Sequence, residues 1–165
     1  MLISDGYKSL NEQLHKTRPD YGISGAKYAE HILEFAKMLQ TKDILDYGCG
    51  KRTLQDALGF DIRNYDPCIP GLDATPEPAT LVVCTDVLEH IEPECLDDVL
   101  ADLRRCVKRV GFFTIATRPA KKYLADGRNA HLIQQDARWW LDKLWAHFRI
   151  SQFNDLGGEV LVIVA

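Results

Sequence analysis

The spacing of apolar residues along the 165-residue chain predicts a regular order of helices and strands. Several stretches place apolar residues three or four positions apart, as on the buried face of an amphipathic helix. They predict helices over residues 9–16, 24–39, 53–58, 94–108 and 137–148. Between them lie short runs that are typical of strands. These runs cover residues 43–47, 61–65, 80–85, 111–117, 149–153 and 160–164.

The order of these elements predicts a fold class. Strands and helices alternate, which indicates a mostly parallel sheet with helices on both faces, a three-layer α/β sandwich. The last two strands are joined by residues 154–158 alone, which are too few for a parallel crossover, so this pair must be antiparallel. No repeat or linker divides the chain, so we expect one domain over residues 1–165, with residues 1–24 as an N-terminal cap segment.

Composition and charge exclude several classes of protein. The chain is 46% hydrophobic and 27% charged, as in an ordinary globular domain, and its net charge of −4 argues against binding nucleic acid through overall charge. No apolar run reaches the length of a membrane span, and residues 1–10 lack the features of a signal peptide. The five cysteines include no CxxC pair and predict reduced thiols, so we expect a cytoplasmic protein.

A glycine turn follows the first predicted strand and is a candidate binding site. Gly48 and Gly50 let the backbone turn sharply and approach a ligand closely, because neither has a Cβ. Asp66 stands 18 residues after Gly48, at the end of the next predicted strand. Glycines that admit the backbone and an acid that accepts from ribose hydroxyls suit a nucleoside. Each feature alone could instead be structural, Asp66 as a turn residue before Pro67.

Three segments together resemble a known family. They are Ile44–Gly50 (ILDYGCG), Asp66 and Leu81–Ile91 (LVVCTDVLEHI), of which the last is the most specific. They are similar to the cofactor-binding core of the class I, Rossmann-like methyltransferases that use S-adenosyl-L-methionine (SAM), notably the branch with ubiquinone-type O-methyltransferases. The resemblance covers residues 25–165. It implies a seven-stranded sheet with an antiparallel last strand.

The resemblance also implies roles for individual residues. Asp46, Gly48 and Gly50 would surround the methionine part of SAM, and Asp66 would hold its ribose. Asp73, with Ala74, resembles the family's acidic loop beside the adenine, and Asp86, with Val87, would form the floor of the pocket.

The sequence departs from the family pattern in three ways. Arg52 replaces a third glycine, so it could reach the carboxylate of SAM or could instead crowd the turn. The segment between Asp66 and Leu81 is short, which would reduce the sheet to six strands and puts the role of Asp73 in question. No substrate domain is inserted, so either a large partner or the segment Tyr21–Tyr28 would close the site.

Candidate acceptor-side residues follow the strand at residues 80–85. Glu89 and His90, with His131 after the polar loop 118–129, are candidates for catalysis or for binding a divalent cation. A cation would orient a substrate hydroxyl and lower its pKa, whereas His131 without a cation could be a general base. Such Glu-plus-His sites resemble those of the small-RNA 2′-O-methyltransferases. Glu89 and His90 could also simply pack against neighbouring elements.

The remaining histidines, tryptophans and basic residues give weaker indications of function. The other histidines lie on helical stretches and are predicted to be surface residues: His15, His31 and His147. Tryptophans at helical spacing predict core packing rather than base stacking: Trp139, Trp140 and Trp145. Basic side chains of the polar loop would suit an anionic substrate: Arg118, Lys121, Lys122 and Arg128.

These observations lead to one main hypothesis and two alternatives. The main hypothesis is a SAM-dependent methyltransferase that acts on a hydroxyl or amine of a small acceptor, which the basic loop suggests is anionic. The first alternative is a catalytically inactive SAM-fold module with a binding or regulatory role, suggested by Arg52. The second is a metal-assisted RNA 2′-O-methyltransferase, which the acidic net charge disfavours but does not exclude.

Overall fold

A computed structural model of the chain describes residues 1–165. The five α-helices are α1 (Asp5–Thr17), α2 (Ala29–Met38), α3 (Thr53–Leu58), α4 (Leu96–Cys106) and α5 (Ala137–Trp145). The six strands are β1 (Ile44–Tyr47), β2 (Arg63–Tyr65), β3 (Ala79–Thr85), β4 (Val107–Ala116), β5 (Ile150–Asp155) and β6 (Glu159–Val164). Short 3₁₀ turns cover Ser24–Tyr28, Leu88–His90 and Pro93–Cys95. No helix combines the length and the apolar character needed to cross a membrane.

The sheet has six strands in the order β2-β1-β3-β4-β6-β5. The first four are parallel to one another, whereas β6 is antiparallel to both β4 and β5. This confirms the α/β fold and the antiparallel final pair. The seventh strand implied by the family resemblance is absent, because residues 66–78 between β2 and β3 form turns and extended loop only.

The two faces of the sheet carry separate hydrophobic cores. Leu45 and Val82 point to the face covered by α4 and α5, while their neighbours Ile44 and Leu81 point to the face covered by α2. Successive side chains of a strand alternate between faces, so a run that is apolar throughout requires a layer on each side. Helix α1 packs outside both cores, in a small cluster of its own.

Two helices differ from the sequence-based expectation. The helix expected over 24–39 begins as the 3₁₀ turn Ser24–Tyr28 and becomes α2 only at Ala29. Of the tryptophans expected to face the core, Trp140 is fully buried, but Trp145 is 65% exposed. Five residues of α-helix rotate a side chain by about 140° from its starting direction, which turns Trp145 away from the core.

Candidate functional site

Three carboxyl groups lie together at the carboxyl edge of the sheet. Asp46 is in β1, Asp66 directly follows β2, and Asp86 directly follows β3. These three strands are neighbours in the sheet, so their ends meet at one edge. All three aspartates line a cavity that opens to solvent.

The glycine turn after β1 is fixed to the end of β2. The backbone amides of Gly48 and Cys49 both donate to the carbonyl of Tyr65, at 2.7 and 3.0 Å. Gly48 has a φ of 80°, and a Cβ there would lie 2.4 Å from a methyl of Val87. Gly50 has a φ of 50°, and its Cβ would lie 2.5 Å from the carbonyl oxygen of Gly22. Both positions therefore require glycine.

Asp66 connects the turn to the loop that follows β2. Its Oδ2 accepts from the amide of Gly50 at 3.1 Å, and its Oδ1 accepts from the amide of Cys68 at 2.9 Å. A carboxylate oxygen has two lone pairs, so each oxygen can accept a further hydrogen bond. Asp66 is thus held in place by backbone amides and can still accept hydrogen bonds from a ligand in the cavity.

Asp46 is a buried carboxyl with an incomplete set of partners. It is 2% exposed, and its Oδ2 has no hydrogen-bond partner. Burial, and then the charge of Asp66, raise the pKa of Asp46 to about 7. A buried carboxyl without a partner is costly, so its position beside the cavity indicates a group that interacts with a ligand.

The opposite wall of this cavity comes from the N-terminal segment. Four residues spaced four positions apart lie on one face of α1 and of the residues just before it. All four line the cavity: Ile3, Tyr7, Asn11 and His15. The hydroxyl of Tyr7 donates to the carbonyl of His90. Residues of the predicted closing segment Tyr21–Tyr28 also line the cavity. His15 is therefore not the surface residue expected; its spacing with Tyr7 and Asn11 was the available signal.

Lys51 fastens this N-terminal wall to the glycine turn. Its ammonium group donates to the carbonyls of Tyr21 at 2.5 Å, Arg18 at 3.0 Å and His15 at 3.4 Å. Its backbone amide donates to the carbonyl of Gly22 at 2.8 Å. A positive charge at the C-terminal end of a helix is favourable, because the helix dipole is negative there.

Two residues expected to bind the cofactor lie outside the cavity. Arg52 precedes α3 with a φ of 60°, and its exposed side chain makes no hydrogen bond. The left-handed conformation explains why glycine is expected at this position. Asp73 is exposed in the loop after β2, where it accepts from the amide of Gly71 and pairs with Lys8 at 3.4 Å. The structure does not bring either residue to the cavity wall.

A second cavity adjoins the first. The two share a wall formed by six residues: Tyr21, Gly22, Ser24, Thr85, Asp86 and His90. The far side of the second cavity is formed by the loop after β4, including Arg118, Lys121 and Lys122. This is the loop that the sequence assigned to the acceptor side.

Asp86, His90 and His131 form a compact group at the shared wall. One ligand atom from each lies within 4.8 Å of the others. Asp86 Oδ2 accepts from the hydroxyl of Ser24 at 2.6 Å, a contact that sequence reasoning missed because only the fold brings residue 24 to β3. Burial lowers the pKa of His90 to about 4, although the charge of Asp86 opposes this, so its ring is neutral near pH 7.

A hydrogen bond of Nδ1 fixes the tautomer of the His131 ring. It is 4% exposed, and its Nδ1 lies 2.6 Å from the carbonyl oxygen of Arg118. A carbonyl only accepts, so Nδ1 carries the hydrogen and donates. When the ring is neutral, Nε2 is therefore unprotonated and able to accept a proton or bind a cation.

Glu89 does not belong to this group, contrary to the sequence-based expectation for the cation site. It is fully buried, and its Oε1 accepts from the amide of Ala116 at 2.5 Å. Burial, and then the charge of Asp86, raise the pKa of Glu89 well above its usual value. Adjacent residues of a 3₁₀ turn point about 120° apart, so Glu89 faces the interior while His90 faces the cavities. Asp86 takes the place expected for Glu89.

The model of the methyltransferase domain family matches residues 20–156. The chain belongs to this family. The membership confirms the enzyme class expected from the sequence, and the matched range includes the three aspartates, the glycine turn and both histidines of the site. No curated protein matches the chain by sequence comparison.

Solved methyltransferases share the fold along most of their length. A Burkholderia thailandensis 1,6-didemethyltoxoflavin-N1-methyltransferase, bound to 1,6-didemethyltoxoflavin and S-adenosylhomocysteine (SAH), has a TM-score of 0.66 at 16% identity, over 99% of this chain and 90% of its own. The DhpI–SAH complex has a TM-score of 0.65 at 16% identity, over 99% of this chain and 98% of its own. Magnesium protoporphyrin IX methyltransferase from Synechocystis PCC 6803, bound to SAM, has a TM-score of 0.61 at 12% identity, and the match covers 96% of this chain and 96% of its own.

Proposed function

We propose that the protein transfers the methyl group of SAM to a hydroxyl or amine of a small, anionic acceptor. The observation that carries this proposal is the pair of adjoining cavities with a shared wall that bears Asp86 and His90. The first cavity would hold the cofactor and the second the acceptor. A methyl transfer needs the donor and acceptor aligned at close range, which two adjoining cavities provide.

The residues of the first cavity fit SAM. Asp66 has free lone pairs for ribose hydroxyls, and the turn at Gly48 and Gly50 presents backbone close to the cavity. The Asp46 carboxyl lacks a partner, which suits the cationic amino-acid end of the cofactor. When bound, SAM supplies an activated methyl group on a sulfonium, so the protein needs only to align the reactants and remove a proton.

His131 is the proposed general base. Its Nε2 would accept the proton that the acceptor hydroxyl or amine loses as the methyl bond forms. The hydrogen bond from Nδ1 to the Arg118 carbonyl orients the ring and holds this tautomer. The fully buried Glu89, with its raised pKa, is a positioning residue that fixes the 3₁₀ turn after β3 to the end of β4 through the Ala116 amide.

The charges of the second cavity support an anionic acceptor. Arg118 and Lys121 line it without forming an ion pair, whereas Lys122 pairs with Asp20 and Lys27 pairs with Glu159. Two unpaired cations would attract a carboxylate or phosphate. The motif resemblance to the ubiquinone-type branch favours a hydroxyl as the methylated group. The Burkholderia thailandensis neighbour is an N1-methyltransferase, so we keep an amine acceptor in the proposal.

Calorimetry with SAH and transfer of labelled methyl groups from SAM test the proposal. We expect SAH to bind, and we expect His131→Asn to keep that binding but to reduce transfer to small carboxylates or phosphates at least about 100-fold. The matched control is His31→Asn, an exposed histidine on α2, which should change neither quantity. Absence of SAH binding at millimolar concentration would refute the proposal. Binding without transfer to any acceptor would favour the inactive binding module.

A divalent cation at Asp86, His90 and His131 is a second candidate, favoured by the spacing of their ligand atoms within 4.8 Å. One carboxylate and two imidazoles suit a transition metal or Zn²⁺ better than Mg²⁺. A cation there would lower the pKa of an acceptor hydroxyl. If a cation acts at this site, we expect the protein to lose methyl transfer in EDTA and to regain it when Zn²⁺, Mn²⁺ or Mg²⁺ is added. RNA ends belong in the same assay, since metal-dependent transfer to RNA would revive the RNA methyltransferase alternative.

A further inference from the structure

Helix α1 contributes polar groups to a cavity whose three aspartates lie at the edge of the sheet. Asn11 is 6% exposed and accepts from the hydroxyl of Tyr21 at 3.0 Å. One turn further along, His15 lines the same cavity. An ordinary helix packed over a core would present apolar side chains at these positions. The polar inner face of α1 therefore needs an explanation other than packing.

The ring of His15 sits directly over the glycine turn. A Cβ on Gly22 would lie 2.7 Å from Cε1 of His15 and 3.2 Å from Cα of Gly50, so Gly22 packs closely against both the ring and the turn. Gly50 in turn donates to Asp66. The imidazole therefore lies close to the glycine turn whose Gly50 amide binds the proposed ribose-binding carboxylate.

His15 has an unsatisfied nitrogen. Its Nδ1 is buried and has no hydrogen-bond partner, and the edge of its ring packs against Tyr21 with centroids 4.7 Å apart. Burial lowers the pKa of His15, while the charge of Asp66 raises it and that of Lys51 lowers it. The ring makes no hydrogen bond within the protein, and His15 lines the cavity, so a polar ligand there is the partner available to the imidazole.

We infer that His15 is a cofactor-binding residue that contacts the nucleoside half of SAM, beside Asp66. The inference rests on the proposed function, because it assigns a residue to the same cofactor cavity. Lys51 supports it structurally, since its bonds to the carbonyls of His15, Arg18 and Tyr21 fix the end of α1 that carries the ring. Sheet edge and N-terminal helix would then bind one nucleoside from two sides.

Binding of two ligands to three variants tests this assignment. SAH contains both halves of the cofactor, and adenosine contains the nucleoside half alone. His15→Phe keeps an aromatic ring against Tyr21 but removes both nitrogens, and His15→Gln keeps a hydrogen-bonding group. His31→Phe is the control, because His31 is exposed on α2 and lines neither cavity. Thermal melting of each variant shows that it is folded.

We expect His15→Phe to weaken SAH and adenosine by the same factor, about tenfold, and His15→Gln to stay within about threefold of the wild type. The control should bind both ligands as the wild type does. Unchanged binding in His15→Phe would overturn the inference, and so would a loss for SAH without a loss for adenosine. Failure of the wild-type protein to bind SAH would instead refute the proposed function, so the two failures are distinguishable.

Discussion

The first cavity has two walls of different construction. The strand-end wall consists of Asp46, Gly48, Gly50, Asp66 and Asp86, at the ends of three hydrogen-bonded strands. The helix wall consists of Ile3, Tyr7, Asn11 and His15, on α1 and the turn before it. The strand-end wall continues into both main cores, whereas the helix wall packs on a cluster of four buried residues: Tyr7, Leu14, Leu124 and Ala130.

Polar contacts therefore carry much of the attachment of the helix wall. Glu92 accepts from the amide and the hydroxyl of Ser4 at 2.8 and 2.6 Å, and Lys51 binds the other end of α1. Segments with few buried apolar contacts open at lower free energy than segments of the core. The comparison indicates that the strand-end wall keeps its shape, while the helix wall is the part that can move when cofactor is exchanged.

The largest expected effect tests the strand-end wall through the buried carboxyl of Asp46. Its pKa is about 7 in the folded protein and near 3.8 in the unfolded chain. Between these values the folded state holds a proton that the unfolded state has lost, so stability falls as pH rises from about 4 to 7. Asp46→Asn removes this loss. As pH rises from about 4 to 7, the free energy of unfolding of the variant should increase relative to that of the wild type by up to about 4 kcal/mol.

Urea unfolding from pH 4 to 8 measures this difference. Asp56→Asn is the control for replacing an aspartate with asparagine, because Asp56 is exposed on α3 and lines neither cavity. A difference between Asp46→Asn and the wild type that stays constant with pH would show that the strand-end wall does not confine a protonated carboxyl.

An intermediate effect is expected at the attachment of the helix wall. Lys51→Met removes the donor to three carbonyls but keeps the bond from the backbone amide to Gly22. We expect SAH to bind about tenfold more weakly, equivalent to about 1.4 kcal/mol, and to dissociate faster, because α1 opens more often. Stopped-flow displacement of SAH measures the rate. Lys37→Met, an exposed change on α2, should leave both quantities unaltered, and equal rates in the two variants would contradict the attachment role.

The smallest effect is expected at Arg52, which borders the strand-end wall without lining it. Arg52→Gly relieves the left-handed backbone at φ 60° and should stabilise the protein by up to about 1 kcal/mol, with SAH affinity unchanged. Gln40→Gly, at φ 51° on an exposed turn, should stabilise similarly. Thermal melting and calorimetry measure the two quantities. A gain in SAH affinity for Arg52→Gly alone would place the arginine in the cavity after all.

The strand-end wall could be predicted because its geometry follows from local patterns. Gly48, Gly50, Asp66 and Asp86 each follow a recognisable strand, and parallel strands bring their carboxyl ends to one edge. The antiparallel final pair followed from the length of residues 154–158. Neither prediction needs any knowledge of how helices dock on the sheet.

The helix wall and the acceptor side could not be predicted in the same way. The spacing in the sequence places His15 on the same helix face as Tyr7 and Asn11, but whether that face meets solvent or the cavity depends on how α1 docks. The choice between Asp86 and Glu89 at the histidine pair depends on a single 3₁₀ turn, which points one carboxyl inward and leaves the other at the cavities.

By itself, the sequence determined the sheet, its glycine turn and the acids at the strand ends, because hydrophobic period and loop length act over a few residues. The tertiary structure alone decided that α1 covers the cavity, that Lys51 holds it there, and that Asp86 rather than Glu89 joins the two histidines. These outcomes depend on contacts between residues distant in sequence, whose geometry is set only when the packed helices and the sheet meet.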